Sequence, residues 1–158
     1  MDDTAAALTD RIVTFVRSVG ITIEPAILPD DGFLPAIAVR NGVLLYDPAR
    51  LQWPGDLLHE AGHIAVTDPA LRPTVSEFDS DGGDEMAAIA WSYAAARAAG
   101  IDSRTLFHDH GYKGEGGWLA ELFDGGGDIG VPMLQYYGIC ARAGQGEPTF
   151  PAIRRWLR

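Results

Sequence analysis

Apolar residues recur at helical spacing from Thr4 to Val19, where Leu8, Ile12, Phe15, Val16 and Val19 share one side and Gly20 follows at the place of a helix-ending glycine. This predicts an amphipathic first helix. The period then changes. Ile21 and Ile23 alternate with Thr22 and Glu24 ahead of Pro25, which predicts a short strand, at a sheet edge because proline brings no N–H to a ladder. Ala36 to Arg40 and Val43 to Asp47 flank Asn41-Gly42, a pair that readily takes the positive φ angles of a tight turn, so a β-hairpin is expected here. After Pro48 and Pro54 the helical period returns with Leu57 to Val66. That helix should begin near Gly55 or Asp56, with Asp56 as its cap, and end before Pro69.

The polar stretch from Asp68 to Gly83 reads as a long loop. An alanine-rich helix from Asp84 to Ala99 comes next, closed by Gly100. A short helix from Ser103 to His108, a glycine-rich segment from Gly111 to Gly117, and a helical piece from Trp118 to Phe123 follow. Beyond Gly125-Gly126-Gly127, helices are predicted from Pro132 to Ala143 and near Pro151 to Leu157. The whole is an α+β pattern, with a small antiparallel sheet placed early and helices after it. Trp118, Leu119, Leu122 and Phe123, then Met133, Leu134, Tyr136, Tyr137 and Ile139, keep helical spacing and read as core.

Composition narrows the picture. The chain has 158 residues, 47% hydrophobic and 22% charged, which suits one domain spanning 1–158 with a full core. Its formal net charge of −10 repels phosphate backbones and acidic membrane surfaces, so neither nucleic acid nor membrane is expected as a partner. Cys140 is the only cysteine, which rules out an intramolecular disulfide and a cysteine-based zinc cluster. Any metal must be held by His, Asp or Glu. The acidic start Met1-Asp2-Asp3-Thr4 lacks the order of a secretion signal, and no apolar run approaches the roughly twenty residues that span a bilayer, so a cytoplasmic protein is expected.

The candidate chemistry is His59-Glu60-Ala61-Gly62-His63, which falls on the second predicted helix. Two histidines four residues apart project from one helix face, so both imidazoles can reach one ion. Glu60 lies beside them, where its carboxylate can act as general base towards a water on a zinc ion. Gly62 costs about 1 kcal/mol of helix propensity relative to alanine, and its smallness would let another segment, such as the Asp84 to Ala99 helix, come close.

A catalytic zinc normally has three protein ligands and one open position. The metzincin extension needs Gly at 66 and His at 69, where this chain has Val66 and Pro69. Candidates for the third ligand are Glu77, Asp79, Asp81, Asp84 and Glu85. Glu85 is favoured because a ligand on a helix is held rigidly and His₂Glu is a known catalytic set; Asp84 is its close rival.

The motif and the order strand, zinc helix, loop, acidic helix resemble the gluzincins, the thermolysin-like zinc peptidases, over Val43 to about Ala99. The compact size is most similar to the minimal gluzincin-like domains (minigluzincins), including those related to the ImmA/IrrE regulatory peptidases, with Glu85-Met86-Ala87-Ala88 matching their Glu-x-x-Ala helix. The resemblance implies a zincin-like fold, Zn²⁺ held by His59, His63 and Glu85, Glu60 as catalytic base, and an edge strand, Val43 to Tyr46, along which an extended peptide substrate could lie. Larger members carry an acid four residues after the ligand glutamate to orient a zinc-bound His. Here that position is Ile89, so a backbone carbonyl or another acid would have to do this.

An oxyanion donor is also needed, and Tyr112, His108, His110 and Tyr93 are the candidates, with no spacing to choose among them. Gly125-Gly126-Gly127-Asp128 lacks the Lys-Ser/Thr of a phosphate loop. The expected function is zinc-dependent hydrolysis of peptide bonds. The alternatives are a zinc-binding regulatory or partner-binding module, and a zinc hydrolase of small amides.

Overall fold

In the computed structural model, residues 4–29, 36–78 and 82–158 are described. The first helix, α1 (Ala5–Ser18), is capped by Thr4, whose hydroxyl accepts from the Ala7 N–H, and it buries Ile12, Val13 and Val16. Three strands follow: β1 (Ile23–Pro25), β2 (Ile37–Arg40) and β3 (Val43–Tyr46). Asn41 at φ 49° and Gly42 at φ 74° make the tight turn that pairs β2 with β3 antiparallel, Arg40 opposite Val43.

The sheet departs from the expectation in one respect that matters for the site. It is mixed, in the order β1-β3-β2, because β1 pairs parallel with β3, Ile23 opposite Leu44. Leu44 donates its N–H to the Thr22 carbonyl and Ala26 donates to the Tyr46 carbonyl, so both sides of β3 are taken. β3 is therefore the central strand, and no extended peptide can add to it. Pro25 does put β1 at an edge, as a residue without an N–H favours.

Against the sheet and α1 packs a pair of helices, α2 (Asp56–Val66) and α3 (Gly82–Ala99). α2 begins at Asp56, one residue after Gly55, and Asp56 is not its cap: no side chain caps this helix, and the Asp56 carboxylate turns instead to His108. α2 and α3 touch closely because Gly62 has no side chain. A Cβ there would stand 2.7 Å from the Ala88 carbonyl oxygen. The alanines of α3, among them Ala87, Ala88 and Ala90, are buried and leave the room that this approach requires.

α4 (Ser103–Leu106), α5 (Gly116–Asp124) and α6 (Val131–Tyr136) complete the shell, with a 3₁₀ turn at Tyr112–Gly114 between α4 and α5. α6 is shorter than predicted, since Gly138 at φ 74° turns the chain and the Ile139 N–H closes back on the Leu134 carbonyl. No helix forms near Pro151 to Leu157 either. That segment spends its backbone groups on other elements: Arg154 donates to Ile139, Arg158 donates to the Ala65 carbonyl of α2, and the Trp156 carbonyl accepts from the Trp91 indole. The residues expected to be core divide: Leu119, Phe123, Leu134 and Ile139 are buried, whereas Trp118 and Tyr136 are exposed. Among the described residues no helix is long and apolar enough to cross a membrane.

Candidate metal centre

One turn of α2 carries His59 and His63 on the face that meets α3, and Glu85 stands in the first turn of α3 opposite them. The geometry closes between these three side chains. His59 Nε2 lies 3.0 Å from Glu85 Oε1, and His63 Nε2 lies 2.8 Å from Glu85 Oε2. One ligand atom from each residue falls within 4.8 Å of the others. His59, His63 and Glu85 therefore form a group that can hold a metal ion.

The donor set fits such an ion. Bonds of about 2.0–2.1 Å in tetrahedral array place neighbouring donors about 3.3 Å apart, and the two His–Glu distances of 3.0 and 2.8 Å lie within about half an ångström of that. The imidazoles are nearly enclosed, with side-chain exposures of 13% for His59 and 7% for His63, whereas Glu85 is 37% exposed and gives the group its open side. The Tyr112 ring stands perpendicular to His59 at 5.5 Å, and Phe78 stacks on His63 at 4.9 Å.

The local field is uneven. Burial alone would raise the Glu85 carboxyl, but the hydrogen bonds from His59 and His63 outweigh it and hold the group far below the usual carboxylate range. His59 moves the other way: burial disfavours its charged form, yet the hydrogen bond and the charge of Glu85, helped by Glu60 and Asp56, raise its pKa. Glu60 is raised chiefly by burial, against the pull of His59 and His63. A carboxylate so placed is a stronger base than one in water.

The remaining acids separate cleanly. Asp84 points away from the imidazoles and accepts from the Tyr137 hydroxyl at 3.1 Å, and Glu77 is exposed and outside the group. Asp79 and Asp81 lie outside the described residues. Of the four proposed oxyanion donors, Tyr93 bonds to Asp124, His110 stacks on Trp53, and His108 bonds to Asp56 at 2.7 Å. Tyr112 is the one whose ring packs on an imidazole of this group, and its hydroxyl is buried with no hydrogen-bond partner among the described residues. Burial, then the charges of Asp56, Glu85 and Glu60, push its pKa well above the ordinary phenol value, so it stays protonated at neutral pH.

Two features escaped the sequence. The Asp56–His108 pair joins residues 52 positions apart, and Phe78 reaches His63 from the end of a polar loop. Neither contact leaves a periodic trace. Comparison of the chain with protein-family models, with curated proteins and with solved structures finds no match.

Proposed function

We propose that the chain is a zinc-dependent hydrolase of peptide bonds, with His59, His63 and Glu85 as ligands and Glu60 as general base. The observation that carries this reading is the convergence of both Nε2 atoms on the Glu85 carboxylate, at 3.0 and 2.8 Å, with the half-buried Glu60 next to His59 in the chain. Zinc in that group would supply Lewis-acid polarisation of a carbonyl and a water more acidic than bulk water. The chain's own residues then divide the remaining work. The Glu60 carboxylate takes one proton from the attacking water as the carbonyl carbon gains its new C–O bond. It returns that proton to the amide nitrogen as the C–N bond breaks. The Tyr112 phenol, buried and protonated, donates a hydrogen bond to the oxygen that gains charge.

The test is hydrolysis of a peptide library by zinc-loaded protein, wild type against Glu60→Gln. Cleavage that the variant loses while keeping its zinc supports the reading. Equal cleavage by both removes Glu60 from the mechanism. A second reading draws on the enclosure of the imidazoles by Phe78 and Tyr112: a metal-bearing regulatory or partner-binding module. Wild-type protein that binds zinc and cleaves nothing would favour it.

A further inference from the structure

The residues on either side of Glu85 in the chain are both held by one other element. Before it, Asp84 Oδ1 accepts the Tyr137 hydroxyl at 3.1 Å. After it, the Met86 carbonyl lies against Gly130, the residue that opens α6: a Cβ on Gly130 would stand 2.1 Å from Met86 O and 3.0 Å from the Ala87 nitrogen. Gly130 is at φ 77°, which favours glycine independently of the contact. Tyr137 follows the last residue of α6, so the two ends of this short helix grip the first turn of α3 at two points that bracket the ligand.

Tyr137 is itself fixed. Arg155 donates to its carbonyl at 2.9 Å, and the Arg158 guanidinium lies over its ring, 4.1 Å from the centroid. Arg158 also donates through Nη1 to the Val66 carbonyl and through its backbone N–H to the Ala65 carbonyl, both at the end of α2 just beyond His63. One arginine thus touches the helix of the two histidines and the tyrosine that restrains the helix of the glutamate.

We infer that Tyr137, with Gly130, is a positioning element that sets where Glu85 stands relative to His59 and His63. It acts through Asp84 and Met86 and touches no ligand atom. A first helical turn otherwise frays readily, and a metal site loosened by even half an ångström at one donor loses affinity. The inference rests on the reading of His59, His63 and Glu85 as metal ligands, and its test has one arm that does not.

Tyr137→Phe, Asp84→Asn and a control, Tyr93→Phe, are compared with wild type. The control removes a similar Tyr–Asp hydrogen bond, to Asp124, from the same α3 helix. In the first arm, hydrogen exchange of the metal-free proteins is read at the amides of Met86 to Ile89. Both site variants should exchange faster there and the control should match wild type. In the second, zinc affinity is measured by chelator competition, and the visible spectrum of the cobalt(II)-loaded protein is recorded. Tyr137→Phe should bind about tenfold more weakly with an altered spectrum, as loss of an outer partner typically does. The variant combining Tyr137→Phe with Asp84→Asn should be no worse than either single one.

Unchanged exchange at Met86 to Ile89 in Tyr137→Phe overturns the positioning role, whether or not metal binds. Faster exchange with wild-type affinity and spectrum overturns its link to Glu85. Wild-type protein that takes up no metal defeats the ligand reading instead, and leaves the exchange arm to decide whether α6 holds the turn.

Discussion

Replacing Gly62 by alanine sets two effects of known size against each other at the contact between the donor helices. Alanine is better than glycine inside a helix by about 1 kcal/mol, so an isolated α2 would gain. In the folded chain the new Cβ would lie 2.7 Å from Ala88 O, 3.2 Å from its Cα and 3.3 Å from its carbonyl carbon. All three are backbone atoms of α3, which cannot rotate aside. Carbon–oxygen contacts ordinarily begin near about 3.3 Å, so the two helices must part by roughly half an ångström. Overpacking of this kind costs about 1–3 kcal/mol. The net loss is then about 0–2 kcal/mol, a fall in Tm of up to roughly 8 °C for a domain of this size. The parting also moves Glu85 from the histidines by an amount that metal sites do not absorb, so zinc affinity should drop about tenfold or more. Thermal unfolding with and without zinc, together with chelator competition, reads both quantities. A Gly62→Ala protein that melts higher than wild type and binds zinc equally well would refute the close packing of α2 on α3 as the reason for this glycine.

Glu85→Ala should abolish zinc binding, whereas Asp84→Ala should retain it with reduced affinity; elemental analysis after dialysis separates the two, and the reverse result would move the third ligand by one residue. Chelation should destabilise the protein: free zinc at a hundred times its dissociation constant contributes about 2.7 kcal/mol, so its removal should lower Tm by roughly 5–10 °C, and an unchanged Tm would mean no site. Glu60→Gln should lower kcat by about 10²–10⁴ with zinc content intact. The same variant carries a pH signature in the metal-free protein. Burial raises the Glu60 carboxyl above its ordinary pKa of 4.5, so the folded state binds that proton more tightly than the unfolded chain. The resulting stabilisation is complete below about pH 4.5 and is lost as pH rises through the folded value, while glutamine has no proton to lose. The Tm of Glu60→Gln relative to wild type should therefore climb as pH rises above about 4.5, and a flat difference would contradict the desolvation of this carboxylate.

What could be read in advance is local. The period of Leu8, Ile12, Phe15 and Val16 gives α1, Asn41-Gly42 gives the hairpin, and the four-residue spacing of His59 and His63 gives one face of a helix. Gly62 reached further, because a glycine inside a helix is costly and must be offset by an approach from outside; α3 supplies it. What failed was non-local. β1 and β2 both compete for β3, and the alternation of Ile21 and Ile23 holds no information on which side, or in which direction, β1 will pair. The residues from Pro151 to Leu157 carry apolar side chains that suit a helix, yet the Arg154 N–H and the Trp156 carbonyl are claimed by Ile139 and Trp91, and the next residue, Arg158, by Ala65. Asp56 has the chemistry of a cap and sits where a cap would be useful, but His108 offers it a charge-assisted partner instead.

An imidazole that ligates through Nε2 usually has its Nδ1 held by a carboxylate or carbonyl, and with Ile89 in place of an acid the sequence left that partner open. Among the described residues, His59 Nδ1 is buried with no hydrogen-bond partner, and the nearby Tyr112 hydroxyl is equally without one. A buried polar atom left unpaired costs about 1–3 kcal/mol, and such atoms are rare in packed interiors. Two of them lie on rings that meet at right angles, beside the donors of the group that can hold a metal ion. Tyr112 and Lys113 add backbone strain at the same point, with φ of 56° and 55°, outside the region that side chains favour. A glycine at 112 would relieve the backbone strain there, and a phenylalanine at 112 would instead remove the unpaired hydroxyl. On the proposed role of Tyr112 as donor to the reacting oxygen, Tyr112→Phe is expected to be at least as stable as wild type while turning over substrate more slowly, and equal turnover would remove Tyr112 from the proposal.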